Sequence, residues 1–280
     1  METLVNLFKE GIQEDIISIV PVGGGSINNT YKVTTSDKVC FVKVNRNIPD
    51  DFFEKEAEGL SLLSKTNKVR TPEVIFIGRN LLVLEFIERG RESKDYWGNL
   101  GQRLADIHKV AASSFGLDHH NYIGSLEQIN SWHSNWPEFF VERRLLPLAN
   151  QAYAKGRLEK RGVELIEHLS KKINTLLVHE KPSLLHGDLW SGNVMADLSE
   201  APVLIDPAVY YGNREIEIAF TTLFGGFDSS FYESYQESFP LEKNFDKRID
   251  LYNLYPLLVH ANLFGGGYAN SVMTILRRFA

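Results

Sequence analysis

The chain has 280 residues, of which 43% are hydrophobic and 24% are charged, as in ordinary globular proteins. A chain of this length predicts one bilobed unit or two domains. Its net charge of −6 and the lack of any block of lysine or arginine argue against a nucleic-acid-binding protein and against docking on anionic membranes.

Neither a secretory signal nor a membrane span is predicted. The first residues mix acidic and apolar side chains at helical spacing, and Arg79 and Asn80 interrupt the most apolar run, at 74–87. Cys40 is the only cysteine, so an internal disulfide is impossible. We therefore expect a cytoplasmic protein that is a monomer or a weak dimer.

The first part of the chain, 1–87, predicts a small antiparallel sheet with one inserted helix. Residues 50–63 place Phe53, Ala57 and Leu60 on one face of a helix. The other runs are rich in Val, Ile, Tyr and Phe and are bounded by Gly, Asn and Ser, which is typical of strands. The predicted strands lie within 18–25, 28–35, 38–45, 73–78 and 81–87, and residues 79–80 form a tight turn.

The second part, 88–280, predicts mainly helices. Apolar residues recur at three- and four-residue steps in the runs 97–111, 139–156, 162–177 and 248–264. The change from sheet to helices near Glu88 predicts an α+β fold with two lobes, 1–87 and 88–280.

The run "HGDLWSGN", at 186–193, concentrates polar residues between two apolar stretches. Asn193 follows Asp188 by five residues, and Asp206 comes thirteen residues later, after the apolar run "VLI". We expect this run to pair with "NVMA" in a β-ribbon. This order and spacing are those of the catalytic loop and the metal-binding aspartate in protein kinases. Mg²⁺ prefers oxygen ligands, and the base must be a separate carboxylate. We predict Asp188 as the base, Asn193 and Asp206 as Mg²⁺ ligands, and His186 as a brace for the loop.

A kinase also needs a cation that reaches the nucleotide phosphates. Lys43 lies in the apolar run "CFVKVN", where a lysine is costly unless it has an acidic partner. We choose Glu56 as that partner over Glu54 and Glu58, because it lies beside Ala57 on the helix face toward the sheet.

A glycine-rich turn and a hinge complete the predicted nucleotide site. The turn "VGGGSINNTY" lies between two strands and differs from a Walker loop. The hinge is "LLVLEFIERG", where the C=O of Glu85 and the N–H of Ile87 could pair with adenine. With these elements in the order of the protein-kinase-like fold, ATP and Mg²⁺ are the predicted cofactors, 1–87 is the nucleotide-binding lobe, and 88–280 is the catalytic and acceptor-binding lobe. The predicted phosphate contacts in the turn are Gly24, Gly25, Ser26 and Asn28.

Two departures from the protein-kinase pattern indicate a small acceptor. Gly187 stands where protein kinases often have an arginine that pairs with a phosphorylated activation loop. After Asp206 the chain has no D-F-G, no A-P-E and no long segment on which a peptide could lie. We therefore predict phosphoryl transfer to the hydroxyl of a small molecule.

The motif "HGDLWSGN", followed by "LIDPAVYYGNREIEIAFTTLFGGF", is similar to the fructosamine kinase (ketosamine-3-kinase) family. Blocks such as "GGGSINNTYKV" and "LYPLLVHANLFGGGY" extend the resemblance over nearly the whole chain. The resemblance implies ATP-dependent phosphorylation of a sugar hydroxyl in a ketosamine, either small or protein-bound, such as a lysine that carries fructose or ribulose. The phosphorylated adduct then breaks down, so the implied role is deglycation repair.

Four further positions take their interpretation from this resemblance. Trp190 distinguishes the family's loop, and its indole face suits a sugar ring or a charged amine. Trp132 and Trp136 are candidates for the wall of the acceptor cleft or for structural residues. Glu217 stands where many members have aspartate, and we interpret that site as structural.

Two alternatives stay open. One is an aminoglycoside- or choline-type phosphotransferase of the same fold, which shares the Asp, Asn, Asp triplet. The other is an inactive nucleotide-binding module.

Overall fold

The computed structural model describes residues 2–23 and 27–279. The first part of the chain forms a five-stranded antiparallel sheet with the order β1-β2-β3-β5-β4 and two helices, and the rest is mainly helical. The sheet strands are β1 Ile16–Pro21, β2 Asn29–Thr35, β3 Val39–Val44, β4 Val74–Gly78 and β5 Leu81–Glu85.

Helices cover both faces of this sheet. Helix α1, Glu2–Gly11, packs Phe8 against the face that carries Cys40 and Val42. Helix α2, Phe52–Lys65, packs against the opposite face. Side chains alternate between the two faces of a strand. Cys40 and Val42 of β3 face α1, so Lys43 faces α2.

The rest of the described chain is mainly helical around one large core, in which Trp136 is only 1% exposed. The helices are α3 Tyr96–His108, α4 Trp136–Phe139, which continues through a π-helix at Phe140–Leu145 into α5 Leu146–Ala154, α6 Lys160–Ser170, α7 Ile173–Leu176, α8 Glu215–Thr221, α9 Ser229–Ser238, α10 Ile249–Phe264 and α11 Tyr268–Phe279.

Short antiparallel ribbons hold the segment that contains "HGDLWSGN". Strand β8, Ser183–Leu185, pairs with β11, Tyr210–Gly212, and enters this segment. Strand β9, Val194–Ala196, leaves it and pairs with β10, Pro202–Leu204. A third ribbon pairs β6, Asn121–Ile123, with β7, Leu126–Gln128.

The hairpin of β9 and β10 explains the predicted spacing. Asn193 lies one residue before β9, and Asp206 lies two residues after β10. Since the two strands are antiparallel neighbours, both residues lie at the same end of the ribbon. A separation of thirteen residues in sequence is therefore closed by one hairpin.

The α+β fold, the inserted helix and this hairpin agree with the sequence prediction. The sheet ends at Glu85 and the next helix begins at Tyr96, on either side of the predicted boundary near Glu88. The division into two lobes, 1–87 and 88–280, stays a prediction. The three-residue strands other than β9 and β10 were not predicted, because so short a run shows no periodicity.

Candidate active site

Gly187 has a backbone conformation and surroundings that exclude a side chain. Its φ is +86°, and an added Cβ would lie 1.9 Å from the carbonyl oxygen of Ala208. The position that bears arginine in many protein kinases is thus closed to a side chain in this protein.

The loop backbone rests on the buried carboxylate of Glu217, in α8. Its Oε1 accepts a hydrogen bond from Gly187 N at 2.6 Å, and its Oε2 accepts from His186 N at 3.0 Å and from His108 Nε2 at 2.9 Å. Burial alone would raise the pKa of Glu217, but the hydrogen bond from His108 and the neighbouring donors lower it, so the group stays ionised.

Sequence reasoning missed this role for Glu217, which it interpreted only as structural. The residue does not line the cleft, yet it fixes the two residues before Asp188. His186 braces the loop as predicted, because its Nε2 donates to the carbonyl oxygen of Ile205 at 2.9 Å.

Asp188 lies next to Asn193 in the loop. The Asn193 amide nitrogen donates to Asp188 Oδ2 at 3.0 Å and to its backbone oxygen at 2.8 Å, which turns the amide oxygen away from Asp188. Burial, followed by the charge of Asp206, raises the pKa of Asp188 to about 7, while the hydrogen bond from Asn193 opposes this rise. A carboxylate poised near neutral pH suits a general base.

Lys43 bridges two carboxylates. Its Nζ lies 2.6 Å from Glu56 Oε1 and 2.6 Å from Asp206 Oδ1, and the residue is only 3% exposed. Burial alone would lower the pKa of Lys43, but the charges of Asp206 and Glu56 raise it well above its usual value. The lysine is therefore a fixed cation, and its partner in α2 is the glutamate chosen from the sequence.

Asp206 has a φ of +55°, a conformation that is strained for a residue with a side chain. Such strain persists only where the surroundings hold the residue, and it concentrates at functional sites. Here Pro207 follows directly, and Lys43 of β3 holds the carboxylate.

The donor set fits Mg²⁺. Asp206 supplies a carboxylate that is 42% exposed, and Asn193 supplies an amide oxygen, both hard oxygen ligands. The described residues hold no group of three or more His, Cys, Asp or Glu side chains that could bind a metal by themselves. A cation at this place would therefore need further ligands, and nucleotide phosphates are the usual ones for Mg²⁺.

The hinge residues line the cleft where the chain leaves β5. The Glu85 carboxylate accepts a hydrogen bond from Arg70 Nη2 at 2.5 Å, so its side chain is directed toward Arg70. The backbone N–H of Ile87, a residue only 9% exposed, donates to no described residue. It is thus available to an acceptor such as an adenine nitrogen.

The glycine turn is described only in part. Gly24, Gly25 and Ser26 lie outside the described residues. Asn28 lines the cleft, and its Oδ1 accepts from Asn45 Nδ2 at 3.0 Å.

The tryptophans separate into different environments. Trp190 lines the cleft, half-buried, and its ring covers Gly192, where an added Cβ would lie 2.3 Å from the indole. Trp136 is a core residue. Trp132 is 46% exposed and stacks on Tyr211, outside the cleft lining.

One cleft of about 770 Å³ contains the predicted residues that the structure describes. Asp188, Asn193 and Asp206 reach it from the loop and the β9–β10 hairpin, and Lys43 and Glu56 reach it from β3 and α2. The hinge residues and Trp190 also line it. Their roles stay predictions, but the geometry brings them together as a phosphotransferase site requires.

Comparison with known proteins agrees with this site. A sequence model of the fructosamine kinase family matches residues 2–280. The chain belongs to the fructosamine kinase family. It is 39% identical to the chloroplastic protein-ribulosamine 3-kinase of Arabidopsis thaliana over 96% of this chain and 85% of the relative. As a member of this family it is an ATP-dependent kinase.

Solved structures share the whole architecture. A fructosamine-3-kinase candidate from Thermobifida fusca superposes with a TM-score of 0.89 at 31% identity, over 99% of this chain and 98% of the other. The choline kinase LicA of Streptococcus pneumoniae superposes with a TM-score of 0.66 at 17% identity, over 98% of both chains. That second likeness shows the protein-kinase-like fold alone. Within residues 2–23 and 27–279, no helix has the length and hydropathy to cross a membrane.

Proposed function

We propose that this fructosamine kinase family member transfers the γ-phosphoryl group of ATP to a sugar hydroxyl of a ketosamine, with Asp188 as the base. The observation that carries the proposal is the placement of Asp188. It lies in the same cleft as the Lys43–Asp206 pair, and Asn193 holds it. The similarity to ribulosamine and fructosamine kinases supports the choice of acceptor.

In the proposed reaction the acceptor hydroxyl lies beside Asp188, which takes its proton. The acceptor oxygen bonds to the γ-phosphorus while the bond from that phosphorus to the ADP oxygen breaks. Lys43, fixed by Glu56, contributes a cation to the phosphates of ATP. Ile87 N–H and Glu85 C=O contact adenine, and Asn28 and the glycine turn contact the phosphates.

Mg²⁺ held by Asn193 and Asp206 would neutralise the charge of the phosphates. Asp206 would then serve both as a ligand of the metal and as a partner of Lys43. Trp190 would pack against the acceptor, because its ring is in the cleft two residues from Asp188. Location in the cytoplasm and a monomer or weak dimer stay predictions.

The test is a substrate panel. ATP consumption by the purified protein would be measured with fructosyl-lysine, ribulosyl-lysine, a glycated protein, an aminoglycoside and choline, each with Mg²⁺ and with excess EDTA. Turnover of at least one ketosamine that EDTA abolishes is expected, with NMR locating the new phosphate on the sugar. Turnover of the aminoglycoside or choline, with none of any ketosamine, would contradict the proposal.

A further inference from the structure

A row of aromatic rings continues from Trp190 along the cleft. Phe224 lies 6.0 Å from Trp190 between ring centroids, and the His260 ring lies 4.6 Å from Phe224. Tyr268 lies 5.1 Å from His260 and 6.4 Å from Phe224. We call these four residues the aromatic wall. All four line the cleft.

Phe224 does not belong to the buried core. It is 38% exposed, in the loop between α8 and α9, and its φ is +55°. A bulky side chain rarely adopts this conformation, and an exposed ring gains little from burial that would offset the strain. Gly225 and Gly226, which follow with φ of +104° and +75°, allow the sharp loop that turns the ring toward the cleft.

Among the described residues, the C-terminal part of the chain supplies no charged side chain to the cleft. The cleft residues that the C-terminal part of the chain supplies, from 224 onward, are Phe224, Val259, His260, Leu263, Phe264 and Tyr268. Lys43, Glu56 and Asp206 lie on the phosphate side instead. A positive group bound at the aromatic wall would thus be held by ring faces rather than by a carboxylate.

His260 is compatible with a cationic ligand. Burial lowers the pKa of His260 below its usual value, so the ring is neutral at pH 7. Its Nδ1 donates to the Pro256 carbonyl oxygen at 2.8 Å, which leaves Nε2 unprotonated. Among the described residues nothing donates to that Nε2, so it can accept a hydrogen bond from an ammonium.

We propose that the aromatic wall binds the amine arm of the acceptor, with Phe224, His260 and Tyr268 as specificity-determining residues beyond Trp190. The inference rests on the proposed function. The arm is the secondary ammonium of the ketosamine and the methylene groups that follow it. The wall begins two residues from Asp188, whereas the hinge at 85–87 serves adenine, so the occupant is the acceptor rather than ATP.

The test compares two acceptors that share the reacting sugar. Fructosyl-lysine carries the ammonium arm, and 1-deoxyfructose lacks it. In Phe224→Leu and Tyr268→Leu, the KM for fructosyl-lysine should rise about 5- to 30-fold, the loss expected for a desolvated cation–π contact. The KM for 1-deoxyfructose, the KM for ATP and kcat should change less than about twofold, because uniform binding of a remote group affects KM alone.

Two further variants serve as matched controls. Phe224→Tyr keeps the ring face and should retain the wild-type KM for fructosyl-lysine. Tyr153→Leu removes an aromatic ring that is 48% exposed and outside the cleft lining, and it should change nothing.

An equal rise in the KM of both acceptors, no rise for either, or a rise in the KM for ATP would overturn the role of the wall while wild-type activity still upheld the proposed function. A wild-type protein that turns over no ketosamine would overturn the proposed function, and the aromatic wall with it.

Discussion

The two sides of the cleft carry different kinds of side chain, charged on one side and aromatic on the other. On the phosphate side, Lys43, Glu56 and Asp206 are charged, and 2.6 Å contacts join them. On the acceptor side the aromatic wall is uncharged, partly exposed and held by ring-to-ring contacts. The difference separates the residues that carry out phosphoryl transfer from the residues that select the acceptor. The charged side can serve any phosphoryl transfer from ATP, whereas the aromatic wall has a shape and polarity that suit one class of acceptor.

Asp206→Asn should have the largest effect on one side alone. The change removes the negative charge that Lys43 contacts and the proposed carboxylate ligand of Mg²⁺. We expect kcat to fall about 10²- to 10³-fold, the range for losing one charged stabiliser of the transition state. The Kd of fructosyl-lysine, measured by calorimetry, should stay within about twofold, since uniform acceptor binding is untouched.

Asp228→Asn is the control for this change. Asp228 is an exposed aspartate that caps α9 by accepting from Ser230 N at 2.9 Å, and it is not part of the cleft lining. It should keep wild-type kcat. If Asp206→Asn weakened acceptor binding as strongly as it lowered kcat, the separation of the two sides would be wrong.

Glu217→Gln should have an intermediate effect, on kcat alone. An amide can no longer accept from all three of its N–H donors, so the loop that carries Asp188 loses its fixed position. We expect kcat to fall about 10- to 100-fold, as for small displacements of a catalytic group, with both KM values nearly unchanged. Steady-state kinetics with each substrate varied in turn measure this.

Glu215→Gln is the matched control for Glu217→Gln. Glu215 lies in the same helix, is also fully buried, and pairs with Arg248 at 2.5 Å, away from the loop. Both variants should lose stability by about 1–3 kcal/mol, the cost of a buried unsatisfied group, but only Glu217→Gln should lose kcat. An equal fall of kcat in both variants would mean that Glu217 does not position the Asp188 loop and has a structural role alone.

Asp197→Ala should leave both sides of the cleft intact and affect stability alone. Asp197 accepts from Arg70, Ser199 and Ala201 behind the hinge. We expect a loss of about 1–3 kcal/mol in the free energy of unfolding at pH 7, with kcat and both KM values unchanged. Urea denaturation gives the first quantity.

The pH dependence of this loss has a definite sign. Burial opposes ionisation, but hydrogen bonds from Ser199 and Arg70 lower the pKa of Asp197 to about 2. A lowered carboxyl pKa stabilises the folded state above the unfolded pKa, and this stabilisation disappears as the pH falls through about 2. The difference between wild type and Asp197→Ala should therefore be constant between about pH 5 and 7 and shrink below about pH 4. A difference that grew on acidification would contradict the assignment.

The charged side could be predicted from the sequence because its signals are local. Lys43 stands out among apolar neighbours, and Glu56 follows from the helical face of Ala57. Asn193 and Asp206 are joined by a single hairpin, so their spacing along the chain carries the geometry.

The acceptor side and the support of the loop could not be predicted in this way. The aromatic wall comes from four separate segments between 190 and 268, and an uncharged ring in an apolar run is indistinguishable from a core residue. Glu217 binds backbone N–H groups 30 residues earlier, and a backbone donor leaves no mark in the sequence. The sequence shows that Gly187 stands in place of arginine. The reason, which is the close approach of the Ala208 carbonyl oxygen, is visible only in the folded chain.

The most direct test of the account is single-turnover phosphoryl transfer by Asp188→Asn. The variant keeps the size and most hydrogen bonds of Asp188 but cannot take the proton of the acceptor hydroxyl. With saturating ATP, Mg²⁺ and fructosyl-lysine, we predict transfer at least about 10²- to 10⁴-fold slower than in wild type, with the Kd of both substrates retained. Transfer within about threefold of the wild-type rate would contradict the assignment of Asp188 as the base, since a base contributes far more than that.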